Sequence, residues 1–167
     1  MAELDGRVVL VVGASGGLGS RLVAELDAAG ATVLSASRST TASLDLSDPQ
    51  SIRDYVGGLT ALDGVVIAAG VVAFGPADQV SDGVLAELFV ANAVGPITLI
   101  RELTPLLAES AAAGRTPFIV TLSGIVAESP TAGLAAYSAS KSALAAFVSA
   151  ASRELRRTGI RVLDARP

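Results

Sequence analysis

The sequence predicts an α/β fold: a doubly wound parallel sheet with helices on both faces and strand order 3-2-1-4-5-6. Three observations carry this expectation. Short apolar, β-branched runs alternate with helix-period segments along the whole chain. The runs are continuously apolar rather than alternating, as in strands covered on both faces. The first run ends at a cluster of glycines that opens a helix. Right-handed crossovers between parallel strands then give the order.

The elements follow in sequence. "RVVLVV", Arg7 to Val12, is the first strand, and Gly17 to Ala29 reads as a helix closed by Gly30. "ATVLSAS" is the second strand, and "ASLDL" is a short third. "SDPQSIRDYV" opens a helix with Asp48 as N-cap and Pro49 at N1. "DGVVIAAG" is the fourth strand. Residues from about 82 to 113 form one long helical stretch with a bend at Gly95-Pro96. "TPFIVTLS" is the fifth strand, Leu134 to Arg157 a helix rich in Ala and Ser, and "IRVLDAR" the sixth strand. "SRSTTAS" is the most loop-like segment, and there is no internal repeat beyond the alternation.

The bulk composition narrows the function. A chain of 167 residues is about one domain. Half of it (51%) is apolar but only 4% is aromatic, so the core is built from Val, Leu, Ile and Ala. The net charge of −4 comes from acids and arginines mixed along the chain, with no basic block for nucleic acid or an anionic membrane. With no Cys there are no disulfides, no thiolate chemistry and no thiolate metal site. With no His either, acid/base work falls to Tyr, Lys, Ser or a carboxylate, and no metal site is expected. The N-terminal "MAELDGR" lacks the basic region of a signal peptide. The runs "VVLVVGASGG" and "GVVIAAGVVAFG" are shorter than the roughly 18 residues of a membrane helix. A soluble, cytoplasmic protein is expected.

"VVGASGGLGS" sets Gly13, Gly17 and Gly19 in a G-x-x-x-G-x-G pattern, with Ser15 and Leu18 between them. A tight turn at a strand end, close backbone approach and free N–H groups at a helix N-terminus together suit a pyrophosphate. The spacing is neither that of the G-x-G-x-x-G fingerprint nor that of a Walker loop. The second strand ends in "SASRS", with no acid for a ribose 2′-OH and with Arg38 just beyond it. A guanidinium matches a 2′-phosphate, so NADP(H) is expected over NAD(H), which remains possible. Asp45 either reaches the adenine edge or caps a turn.

Tyr137 and Lys141 stand four residues apart, on one face of a helix, and Lys141 is the only lysine in the chain. A free tyrosine titrates at about 10. A nearby ammonium favours the phenolate, which allows the side chain to exchange a proton with a carbonyl or alcohol oxygen.

These residues carry a resemblance. "VVGASGGLG", "LFVANAVGP" and "YSASK", in this order and spacing, make the chain similar to the short-chain dehydrogenase/reductase family, from Gly6 to Pro167. The resemblance implies a Rossmann-like NAD(P)-binding domain that interconverts a carbonyl and a secondary alcohol on a small molecule. Tyr137 would be the acid/base, Lys141 would bind the nicotinamide ribose and lower the Tyr137 pKa, and Asn92 would hold a water in a proton relay. It also implies a homodimer or homotetramer packed through the long helices. The small-residue face of "LAAYSASKSALAAFVSAAS" suits such packing, and equally suits packing on its own sheet.

Three departures from the family pattern stand out. The catalytic Ser expected thirteen residues before the Tyr is Gly124, with Ser123 one place early. On a strand Ser123 would face the opposite way unless a bulge or the strand end re-aims it. Ala68 and Ala69 replace the usual amides after the fourth strand, although these small residues and Gly70 still admit a cofactor. The chain also stops at Pro167, where the family's substrate loop normally follows. It therefore reads as a single domain over residues 1–167, either a truncated form or a fragment. The alternative function is a catalytically weak nucleotide-binding sensor or oligomerisation module. Sugar-nucleotide epimerase chemistry is disfavoured by the glycine spacing.

Overall fold

The β-branched run at Val8–Val12 forms β1, with four of its five residues buried. Val9 and Val11 face one side of the sheet and Leu10 and Val12 the other, as the two-residue period of a strand requires. This is a computed structural model, and it describes residues 4–41 and 43–167. Its other strands are β2 (Thr32–Ala36), β3 (Gly64–Ile67), β4 (Phe118–Leu122) and β5 (Arg161–Ala165). Among the described residues these five pair in parallel in the order β2-β1-β3-β4-β5.

That order is the expected one with the expected third strand removed. "ASLDL" survives only as a single parallel bridge between Ser43 and Ser37; Ala42 lies outside the described residues. Local side-chain bonds explain the loss. Asp45 Oδ1 accepts from the Ser47 amide at 2.9 Å and from the Ser47 hydroxyl at 2.6 Å, which turns the chain where a strand would extend. Asp48 then caps α2 (Pro49–Gly57) by accepting from the Gln50 amide, with Pro49 in the first turn.

The helices cover both faces. α1 (Gly17–Ala28) packs Leu22, Val23 and Leu26 against Val9, Val11 and Val66. The opposite face is larger. There α4 (Gly95–Ala112) and α5 (Ala135–Leu155) bury Leu99, Leu103, Leu107, Leu144 and Val148 on Leu10, Val65, Ile67 and Ile119.

The long helical stretch is real but is broken earlier than Gly95-Pro96. α3 (Asp82–Phe89) passes into a π turn at Val90–Val94 before α4 begins. A π turn inserts one extra residue per turn and re-aims the side chains it carries. Here it carries Asn92. Gly95 follows because the Leu46 carbonyl lies where its Cβ would be. The stretch Asp82–Ala112, 31 residues with a mean hydropathy of 1.7 in its most apolar window, is long and apolar enough to cross a membrane by length and composition. Leu99, Ile100, Leu103 and Leu107 are nevertheless buried in the core of the sheet.

At the opposite end of the sheet Asp63 is a buried tie-point. Its Oδ1 accepts from the Ser110 hydroxyl at 2.7 Å, and its Oδ2 accepts from the Val8 amide at 2.9 Å and pairs with Arg115. One carboxylate thereby joins the starts of β1 and β3 to the end of α4.

Candidate active site

The register aligns Val12, Ala36, Ile67, Thr121 and Asp164 in one row near the C-terminal ends of the strands. Strand order reverses between β1 and β3, the place where an open α/β sheet forms a crevice. A cleft of ≈ 640 Å³ opens there. Gly13 lets its walls come together, because a Cβ on Gly13 would lie 2.7 Å from the Ala69 amide nitrogen. Gly19 is buried below the loop, with the Gly13 carbonyl in the place of its Cβ, and so lets the first turn of α1 approach β1. Gly16 is the N-cap residue and no side chain caps this helix end, so its first N–H groups are left for another acceptor.

Of the residues singled out by sequence, Gly13, Ser15, Arg38, Asp45, Ala69 and Gly70 line the cleft. Gly17 and Leu18 stand beside it in the first turn of α1, where Leu18 is 47% exposed. Gly16, Ser37, Ser39, Ser47 and Val71 also line it and were not singled out. Arg38 is exposed at the β2 end of the cleft. Asp45 is both a wall residue and a turn cap. Hydrogen bonds from the Ser47 hydroxyl and amide, with the Arg38 charge, hold its carboxyl below the usual range against a smaller opposing effect of burial.

At the other end of the cleft, Gly70 meets the helices. A Cβ there would lie 2.9 Å from Asn92 Oδ1 and 3.2 Å from Lys141 Nζ. The π turn aims Asn92 at the loop after β3. Asn92 Oδ1 accepts from the Val71 amide at 2.9 Å, and Nδ2 donates to the Val71 carbonyl at 2.8 Å and to Ser140 Oγ at 3.0 Å. Ser140 in turn donates to the Tyr137 carbonyl at 2.8 Å. The Lys141 ammonium is buried and donates to the Leu122 carbonyl at 2.8 Å, with Nζ 5.9 Å from the centre of the Tyr137 ring.

Burial of the Tyr137 phenol pushes its pKa up. Burial also pulls the Lys141 ammonium down, and the charge of Asp164 opposes that shift. The i, i+4 spacing brings the two side chains together, but the ammonium is anchored on a strand carbonyl.

Ser123 is fully buried, and its hydroxyl donates to Asp164 Oδ2 at 2.6 Å while its amide donates to Asp164 Oδ1 at 3.2 Å. Gly124 has φ +78 and ψ 162, a conformation that side-chain-bearing residues avoid, and space lies open around its Cβ position. Asp164 and Ser140 were not singled out by sequence. The lone acid within the strand run "VLDA" was the available signal for the first, and its place inside "YSASK" for the second.

A sequence model of the family described as short chain dehydrogenase matches residues 7–167. The chain belongs to the short chain dehydrogenase family. The uncharacterized oxidoreductase YbbO of Escherichia coli (strain K12) is 33% identical over 171 residues, covering 92% of this chain and 62% of that protein. The NADPH-dependent 1-acyldihydroxyacetone phosphate reductase of Saccharomyces cerevisiae is 29% identical over 190 residues, covering 99% of this chain and 62% of the reductase. The chain thus spans 62% of the length of each. Among solved structures, a metagenomic short-chain oxidoreductase in complex with NADP superposes with a TM-score of 0.90 at 29% identity, covering 99% of this chain and 83% of that one. In this member of the family, the cleft's own features fit a dinucleotide: an uncapped helix start, glycine walls that a Cβ would close, and an exposed guanidinium at one end.

Proposed function

We propose that this chain carries the cofactor-binding and proton-transfer part of an NADP(H)-preferring oxidoreductase that interconverts a carbonyl and a secondary alcohol. The observation that carries the proposal is the meeting at Gly70. The wall of the cleft ends there against Asn92 and Lys141, so a ligand filling the cleft from Arg38 arrives beside the Tyr137 helix. The α1 start and Ser15 take the pyrophosphate, Arg38 takes a 2′-phosphate, and Lys141 takes the nicotinamide ribose.

A nicotinamide held there would supply, or take up, the hydride at the substrate carbon. The chain supplies the proton. Burial pushes the Tyr137 pKa up, so the phenol is available as a proton donor to a carbonyl oxygen. Asn92 anchors the relay that returns a proton towards Lys141. Tyr137→Phe tests this assignment: turnover falls at least about 100-fold while NADPH affinity is retained. A wild-type rate in that variant removes Tyr137 from the chemistry.

A second reading has its own observation. With glycine at 124 and the Ser123 hydroxyl bonded to Asp164, the expected side-chain donor to the substrate oxygen is missing. Loss of a comparable donor costs about 10²–10³ in rate elsewhere. A catalytically weak nucleotide-binding module therefore remains the rival. In either reading we place the protein in the cytoplasm as a homodimer or homotetramer. The exposed Ala135, Ala139, Ala146 and Ala150 of α5 support close packing against a second copy.

A further inference from the structure

We propose that Asp164 is a positioning residue for Lys141: its oxygens fix the strand end whose carbonyl holds the ammonium. The inference rests on the oxidoreductase reading, which gives Lys141 its task. Asp164 lies at the end of β5, in register with Thr121, and its side chain is 10% exposed. Its Oδ1 accepts from Thr121 Oγ1 at 2.8 Å and from the Ser123 amide at 3.2 Å. Its Oδ2 accepts from Ser123 Oγ at 2.6 Å and from Arg166 Nε at 3.0 Å. Four donors fill the lone-pair sites of a carboxylate.

The consequence falls on Leu122. The Thr121 hydroxyl and the Ser123 amide, on either side of Leu122, both donate to this one carboxylate, and the Leu122 carbonyl accepts from Lys141 Nζ at 2.8 Å. Asp164 thus sets where the ammonium is held. The electrostatics agree. A buried ammonium is costly without a compensating charge. Among the described residues, Asp164 on β5 is the charged group that acts on Lys141. Tyr137 is the titratable neighbour on α5 itself, while the π turn and the loop after β3 present only the neutral Asn92 and Gly70. Arg166 shares the Asp164 charge and also pairs with Glu128.

The chain's single lysine makes the test direct, because a chain labelled with ¹³C at lysine Cε gives one resonance. Its titration midpoint is compared in wild type, Asp164→Asn and Asp164→Ser. Both variants remove the charge, and the expected result is a downward shift on the order of one pH unit in either folded variant. An unchanged midpoint overturns the proposal. Failure of both variants to fold would assign Asp164 to the fold alone and overturn it equally. The measurement reads neither turnover nor nucleotide, so its outcome is separate from that of the oxidoreductase reading.

Discussion

Gly70 and Asn92 are packed so closely that a methyl group on Gly70 would lie 2.9 Å from Asn92 Oδ1. Asn92 cannot yield cheaply, since three hydrogen bonds hold its amide to Val71 and Ser140. Gly70→Ala is therefore expected to cost about 1–3 kcal/mol of stability through overpacking. It should also weaken nucleotide binding at least about tenfold by displacing the wall of the cleft. Urea unfolding and a binding titration on the same preparation read both effects. Wild-type values in both would mean that Asn92 is free to move.

Gly124 leads to an unusual expectation. Restoring the family's serine there is not expected to restore a donor. With φ at +78 and ψ at 162, a side chain at this position is strained by about 1–3 kcal/mol. Gly124→Ser should lower the unfolding midpoint and leave turnover no faster than wild type. A rise in kcat without loss of stability would show that the loop relaxes to accept it.

Most of the fold was legible in the sequence because its signals are local. The β-branched run at Val8–Val12 and the Asp48–Pro49 helix start each depend on a few neighbouring residues. The third strand failed for a local reason too, the turn that Asp45 makes with Ser47, which competes with extension. The π turn left no mark, since a helix-period pattern does not signal one inserted residue. At the site, Tyr137 and Lys141 could be picked out by spacing and Asn92 by the family resemblance, but the partners that define their surroundings could not. Ser123 and Asp164 are 41 residues apart in sequence and meet only because β4 and β5 pair. The Lys141 anchor is a backbone carbonyl, which no side-chain pattern reveals.

Acid should weaken the chain through Asp63. Burial alone would raise this carboxyl, but bonds from Ser110 and the Val8 amide, with the Arg115 guanidinium, outweigh it and hold the pKa below the ordinary value of 3.8. A group depressed in the folded state stabilises above its unfolded pKa and loses that contribution as pH falls through the folded one. Unfolding free energy should therefore decline as pH drops from about 4 into the range below, and Asp63→Asn should flatten that decline. An identical acid profile in the variant would remove Asp63 from the acid response.

We propose that the cleft between Gly13 and Gly70 binds NADP(H), with Arg38 setting the preference. Calorimetric titration of the purified chain with NADPH and with NADH tests it most directly. Both nucleotides are expected to bind, NADPH at least about tenfold more tightly, the worth of one charge-assisted guanidinium–phosphate contact. Equal or tighter binding of NADH would contradict the role of Arg38, and no binding of either nucleotide would contradict the site.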